Sequence, residues 1–256
     1  METASPPSST HRPAALVTGG GRRIGRAIVL RLAAAGWDVA IHCGHAIDEA
    51  EAVAREAGAL GARTIVLPAE LSDETAVRAI VPAAAAALGG LSLLVNNASA
   101  FDDDRFGALA RESWDRHFAV NLRAPIVLAE MFASEARPGA AIVNLLDQRV
   151  LRPNPTFFSY ALTKSALWTA TQMMAQALAP AIRVNAVAPG PVLASCHQAD
   201  DEFEREYAGT LLARPSPPAE IADAVLFLAT APSVTGQVIA VDSGQHLGWQ
   251  TPDQSI

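Results

Sequence analysis

Tyr160 and Lys164 stand four residues apart in SYALTK, so on a helix the phenol and the ammonium leave the same face. A phenol beside a lysine ammonium makes a proton donor whose pKa is expected to be lowered. Thirteen residues before the tyrosine, at the end of the apolar run 140–146, stands a lone carboxylate, Asp147. An anion there either opposes the phenol or works with it, and the substrate decides which. A carboxylate accepts from ring N–H and amino groups and can carry a proton, whereas it hydrogen-bonds a ketone oxygen only when it is itself protonated.

The elements that must position these groups alternate along the chain. Apolar runs predict strands over 14–18, 37–43, 63–68, 91–95, 140–146, 182–187 and 237–241. Between them, helical spacing covers 23–36, 47–58, 72–88 (with Ser72 as N-cap), about 111–135, 156–179 and 219–229. Continuous apolar strands interleaved with helices imply an α/β class protein. The expected architecture is a single-domain Rossmann fold, a doubly wound parallel sheet with helices on both faces. Residues 1–13 read as a disordered tail and 14–256 as one domain. Residues 194–218 read as a proline-rich variable loop carrying Asp200, Asp201, Glu202, Glu204 and Glu206, a segment expected to order as a lid over a ligand.

Composition narrows the partners. Half of the 256 residues are hydrophobic and 18% are charged, which suits a large core. A net charge of −7 without a basic run argues against nucleic acid. No apolar stretch reaches the ~18 residues of a membrane span, and the N-terminal residues lack the apolar core of a signal peptide, so a cytoplasmic protein is expected. Cys43 and Cys196 are too few for a disulfide framework or a metal centre, and His11, His117, His197 and His246 lack ligand spacing. The acidic run Asp102–Asp104 reads as a solvated helix start.

The turn TGGGRRIG follows the first strand, where backbone N–H groups and a helix N-terminus can hold a dinucleotide pyrophosphate. The end of the second strand selects between nicotinamide cofactors. It reads IHCGHAID, with His42 and His45 and no acid before Asp48 to take a ribose 2′-hydroxyl, while Arg22 and Arg23 stand in the turn. That pattern favours a 2′-phosphate and therefore NADP(H).

Together, TGGGRRIG, NNAS at 96–99, Asn121 in HFAVNLRAP, the Tyr160/Lys164 pair and VNAVAPGPV at 184–192 resemble the short-chain dehydrogenase/reductase family from about residue 14 to 244. The resemblance implies hydride transfer with Tyr160 as proton donor. Lys164 would lower its pKa and hold the nicotinamide ribose, and Asn121 would support a water-linked proton path. It implies cofactor contacts from Gly19, Arg22, Arg23, Ile24, His42, His45, Glu70 and Leu71. Further contacts would come from Asn97, Ala98, Ser99, Tyr160, Lys164, Pro189 and Gly190. It also implies a homotetramer built through the long helices, with Trp168 and Met173 on the packing helix.

Two positions depart from the family pattern. Arg23 replaces the middle glycine of the turn, and Asp147 replaces the serine that precedes the tyrosine. Both changes are similar to the pteridine reductases of this family, including the dihydromonapterin reductase branch. That likeness implies a pterin between Phe101 and the nicotinamide, with Ser99, Arg23, Asp147 and Tyr160 around it. The expected activity is NADPH-dependent reduction of a dihydropterin or dihydrofolate. The alternatives are a reductase of ketones or 3-oxoacyl thioesters and a catalytically silent NADP-binding protein.

Overall fold

The computed structural model describes residues 12–194 and 200–249. Seven parallel strands form one sheet; the five inner runs are buried almost throughout because helices cover both faces, and the two edge strands are half-buried. In chain order the strands are β1 (Ala14–Val17), β2 (Asp38–Cys43), β3 (Thr64–Pro68), β4 (Leu93–Asn96), β5 (Ala140–Leu145), β6 (Ile182–Pro189) and β7 (Val238–Val241). Their order in space is β3-β2-β1-β4-β5-β6-β7. The winding therefore reverses between β1 and β4, and a crevice opens at the carboxyl ends of those two strands.

The helices are α1 (Arg23–Ala34), α2 (Ile47–Ala59), α3 (Glu74–Leu88), α4 (Arg111–Phe118), α5 (Ala124–Glu135), α6 (Phe158–Leu178), α7 (Asp200–Ala208) and α8 (Pro218–Thr230). Ile28, Leu32, Val53, Ile221 and Val225 from α1, α2 and α8 pack on one face of the sheet. Val77, Val81, Val127, Phe132 and Ala175 from α3, α5 and α6 pack on the other. No helix among the described residues is long and apolar enough to cross a membrane, and no cluster of His, Cys, Asp and Glu among them could hold a metal.

The α/β class and the doubly wound parallel sheet follow the sequence reading. Several local expectations need correction. Asp73, not Ser72, caps α3, because its side chain accepts from Thr75 and Ala76 N–H. The stretch expected as one helix over 111–135 is broken by a π-turn at Ala119–Arg123. The segment expected as a loop over 194–218 contains α7, whose Phe203 and Tyr207 rings meet edge to face. Most of the expected N-terminal tail lies outside the described residues, as do His11, Cys196 and His197. Arg12, assigned to that tail, donates to Gly36 O and Gly61 O and pairs with buried Asp38.

Candidate active site

The crevice at the reversal point is a cleft of about 430 Å³. It joins Gly19, Arg22, Arg23, Ile24, His42 and His45, from the β1–α1 turn, the start of α1 and the end of β2 with the turn after it, to Glu70, Leu71, Asn97, Ala98 and Ser99 from the loops that follow β3 and β4. Its wall is drawn tight where α1 begins. A Cβ on Gly25 would collide with Gly19 O and sit 2.7 Å from Asn97 Nδ2, so only glycine lets the helix approach this closely. Asn97 returns the contact by donating to Thr18 O at 2.8 Å. No side chain caps the start of α1, which leaves its first N–H groups to an anion in the cleft. A glycine-lined helix start with an arginine on its rim fits a dinucleotide diphosphate.

Arg23 explains its own oddity in part. Its φ is +50°, in the left-handed region that costs a side-chain-bearing residue of the order of 1–2 kcal/mol, which is why a glycine suits this place. The cost is offset by contacts of the guanidinium, which donates to Leu193 O and Ala194 O at 3.0 Å each. Arg23 thus ties the turn to the chain leaving β6. Arg22 is exposed on the cleft wall, 3.9 Å from Glu49.

The two histidines separate. His42 is buried, and its Nδ1 accepts from Gly19 N–H at 3.2 Å, which leaves Nε2–H to donate to Ala69 O at 3.0 Å. Burial also lowers its pKa, so the ring is neutral and committed to the backbone. The expectation that His42 contacts a 2′-phosphate is therefore corrected: it braces the turn. His45 is part of the cleft wall and keeps its candidacy. Glu70 also lines the cleft, with Oε1 accepting from Ser72 N–H. Pro189 and Gly190 lie outside this wall, at the end of β6. Gly190 is a glycine because a Cβ there would meet Asp242 Cα at 2.6 Å.

Beside the cleft, the start of α6 brings Tyr160 and Lys164 under the end of β5. Tyr160 O–H donates to Asp147 Oδ2 at 3.0 Å. Asp147 also accepts from Arg149 N at 2.8 Å and from Arg149 Nη1 at 3.1 Å, so it caps the short 3₁₀ turn Gln148–Val150 and holds an ion pair in one stroke. Lys164 Nζ donates to Leu145 O at 2.8 Å and lies 5.6 Å from the centre of the Tyr160 ring. The expected lowering of the phenol pKa is reversed here. Burial raises the Tyr160 pKa well above its ordinary value, and the facing Asp147 carboxylate raises it further. Burial also lowers Lys164 to about 8.

Asn121 sits in the π-turn, an insertion that turns its side chain out of the regular helix register. Its Oδ1 accepts from Ala100 N at 2.8 Å and Ser99 Oγ at 3.1 Å, and its Nδ2 donates to Ala100 O at 2.9 Å. Phe101 therefore leaves a segment that Asn121 clamps. Its ring stacks on Phe157 at 4.3 Å and meets the Tyr160 ring at 4.7 Å, nearly edge to face. One face of the ring expected to carry a pterin is thus covered by Phe157.

The sequence reading missed Phe157 and Arg149, whose guanidinium lies 5.3 Å from the Phe157 ring centre. Their signals were local: an aromatic three residues before Tyr160 and a cation two after Asp147. The acidic run is also not a solvated helix start, because Asp104 is buried and its carboxylate accepts from Ser159 N–H.

A glycine-walled dinucleotide cleft, a Tyr–Lys pair on one helix and the asparagine of the π-turn together define the class, and the chain belongs to the short-chain dehydrogenase/reductase family. A family profile described as enoyl-(acyl carrier protein) reductase matches residues 20–246. The chain is 33% identical over 240 residues to the 3-oxoacyl-[acyl-carrier-protein] reductase FabG of Staphylococcus aureus, covering 91% of this chain and 98% of that one. It is 34% identical over 245 residues to the oxidoreductase YghA of Escherichia coli, covering 91% and 83%. Among solved structures, FolM alternative dihydrofolate reductase 1 from Brucella canis, complexed with NADP, is 48% identical with a TM-score of 0.91, covering 95% of this chain and 97% of that one.

Proposed function

We propose that this chain is an NADPH-dependent reductase of a pterin, of the dihydropterin or dihydrofolate type. The observation that carries the reading is the Tyr160–Asp147 hydrogen bond, which puts an acceptor-only carboxylate where a ketone reductase needs a hydroxyl donor. The FolM likeness supports the same reading, since those proteins are described as dihydrofolate reductases and hold NADP.

When bound, NADPH supplies a hydride to a carbon of a C=N bond in the ring. Arg22 and His45, on the cleft wall, would hold the 2′-phosphate, and the start of α1 would hold the diphosphate. Glu70 and Leu71 would hold the adenine, Asn97, Ala98 and Ser99 line the cleft, and Pro189 and Gly190 would contact the nicotinamide. Phe101, backed by the stacked Phe157 ring, would offer its other face to a flat heterocycle. Asp147 accepts from amino or ring N–H groups of the pterin and keeps Arg149 as its counter-ion. Tyr160 and Asp147 form the pair from which a proton passes to the ring nitrogen, and the Lys164 ammonium would hold the cofactor ribose and attract the electrons left on the phenol. Asn121 holds Ser99 and Ala100 in place for this work. Met173 is exposed on α6, the helix through which we propose homotetramer assembly.

A second reading, reduction of a 3-oxoacyl thioester, draws on the FabG relatives. NADPH oxidation measured with a panel of dihydropterins and a panel of 3-oxoacyl thioesters separates the two. Turnover of pterins is expected. Turnover of thioesters alone would replace the proposal with the second reading, and turnover of neither panel would favour a silent NADP-binding protein.

A further inference from the structure

Helix α6 carries Tyr160 yet starts without a cap of its own. Its N-cap residue, Phe157, has φ +50° and no side-chain bond to the first turn. The cap comes from elsewhere. Asp104 O accepts from Phe158 N–H at 3.1 Å, Asp104 Oδ1 accepts from Ser159 N–H at 3.0 Å, and Asp104 Oδ2 accepts from Ser159 Oγ–H. A bridge between Arg105 and Thr156 runs beside these bonds.

His117 on α4 completes the arrangement. It is fully buried, with Nδ1 2.6 Å from Ser159 Oγ and Nε2 3.0 Å from Asp102 N. The polarity of this hydrogen-bond relay is fixed at both ends. A backbone N–H only donates, so Nε2 is the bare nitrogen and Nδ1 carries the hydrogen. A carboxylate only accepts, so Ser159 Oγ must give its hydrogen to Asp104 and receive one from His117. The direction runs Asp102 N–H to His117, His117 to Ser159, and Ser159 to Asp104, with each donor facing an acceptor. Burial lowers the His117 pKa, consistent with a neutral ring.

What this relay joins is the reacting centre. Asp102 follows Phe101, Ser159 precedes Tyr160, and His117 stands one helical turn before Asn121. The His117 ring also lies 6.2 Å from the Tyr160 ring, edge to face. We propose that His117 is a positioning residue that fixes Phe101 against Tyr160, acting through Ser159 and Asp104. The role rests on the assignment of Tyr160 as proton donor and Phe101 as substrate platform. It does not depend on which substrate is reduced.

Two substitutions break the relay by different means. His117→Phe keeps a flat ring and removes both nitrogens. Asp104→Asn keeps the shape but can present an N–H to Ser159, which reverses the polarity and sets a donor against a donor further along. His117→Asn restores an N–H near the Nδ1 position and serves as the conservative rescue. Each is assayed on whichever panel compound the wild type reduces fastest, so failure of the pterin reading leaves this test intact. Misplacement of a reacting group by about 1 Å can cost ~10²-fold. The expected result is a loss of that order in kcat for His117→Phe and Asp104→Asn, with the NADPH dissociation constant nearly unchanged, and recovery of much of the loss in His117→Asn. Unchanged kcat with only a lowered melting temperature would make the relay structural and overturn the role. Imidazole ¹⁵N shifts of the wild type at pH 7 test the same idea without a variant: a neutral ring protonated at Nδ1 is required, and an Nε2–H or doubly protonated ring contradicts it.

Discussion

Tyr160 gives its hydroxyl hydrogen to Asp147 across 3.0 Å, and the same carboxylate holds the backbone N–H and guanidinium of Arg149. The anion that looked like an intruder beside a proton donor is therefore a built part of the site. It keeps the phenol protonated, and Arg149 keeps the anion paired, so neither charge is left alone in a buried place. A carboxylate offers roughly four acceptor positions; Arg149 Nη1 spans both oxygens, at 3.3 and 3.1 Å, so a substrate N–H would take the place of the longer of these contacts.

Tyr160→Phe removes the donor and leaves the cleft walls untouched. General acid–base assistance is worth ~10²–10⁴-fold, so kcat should fall by that factor while NADPH binds as before. Steady-state rates paired with a fluorescence titration of NADPH check both halves, and near-normal turnover would remove Tyr160 from the mechanism.

Lys164 gives a pH dependence. Burial lowers its pKa to about 8, so the free enzyme holds an ammonium below that pH and loses it as pH rises through it. The logarithm of kcat/KM should be level up to near pH 8 and then decline. Lys164→Arg keeps its charge throughout and should lack this alkaline decline, although at reduced rate. A wild-type profile still level two pH units above the Lys164 pKa would contradict the role of the ammonium.

Arg22 carries the expected choice of cofactor, with His45 beside it. A charge-assisted bond to phosphate contributes roughly 1.5–3 kcal/mol, so Arg22→Ala should weaken NADPH about 10- to 150-fold and leave NADH nearly unchanged. His42→Gln, by contrast, should lower stability, because that ring braces Gly19 and Ala69. Equal loss of both nicotinamides in Arg22→Ala would place the 2′-phosphate elsewhere.

The sheet was legible in the sequence because each strand is a short, nearly unbroken apolar run, and the Tyr160/Lys164 pair because four residues make about one helical turn. Less visible was anything set by contacts distant in sequence. His42 reads as a phosphate ligand until its two nitrogens are seen to be held by Gly19 and Ala69, which lie 23 and 27 residues away. Asp104 reads as solvated until it is found capping a helix 55 residues further along. The phenol pKa ran opposite to expectation because spacing reveals a neighbouring lysine but not burial. The π-turn at Asn121 is hidden because apolar residues crowd both sides of it (Ala119, Val120, Leu122, Ala124, Ile126 and Val127), so a one-residue shift of the helical phase does not show.

Replacing the Asp147 carboxylate separates the two substrate classes in one comparison: pterin and 3-oxoacyl thioester turnover by wild type, Asp147→Asn and Asp147→Ser side by side. Asp147→Asn keeps the shape and removes the ionisable group, while Asp147→Ser supplies the hydroxyl that a ketone site uses. Pterin turnover should fall in both variants, by the ~10²–10⁴-fold typical of a lost acid–base partner, with any thioester activity of Asp147→Ser steady or increased. If Asp147→Ser instead gains activity on its best substrate, and pterins are poor substrates of all three proteins, the pterin assignment is wrong.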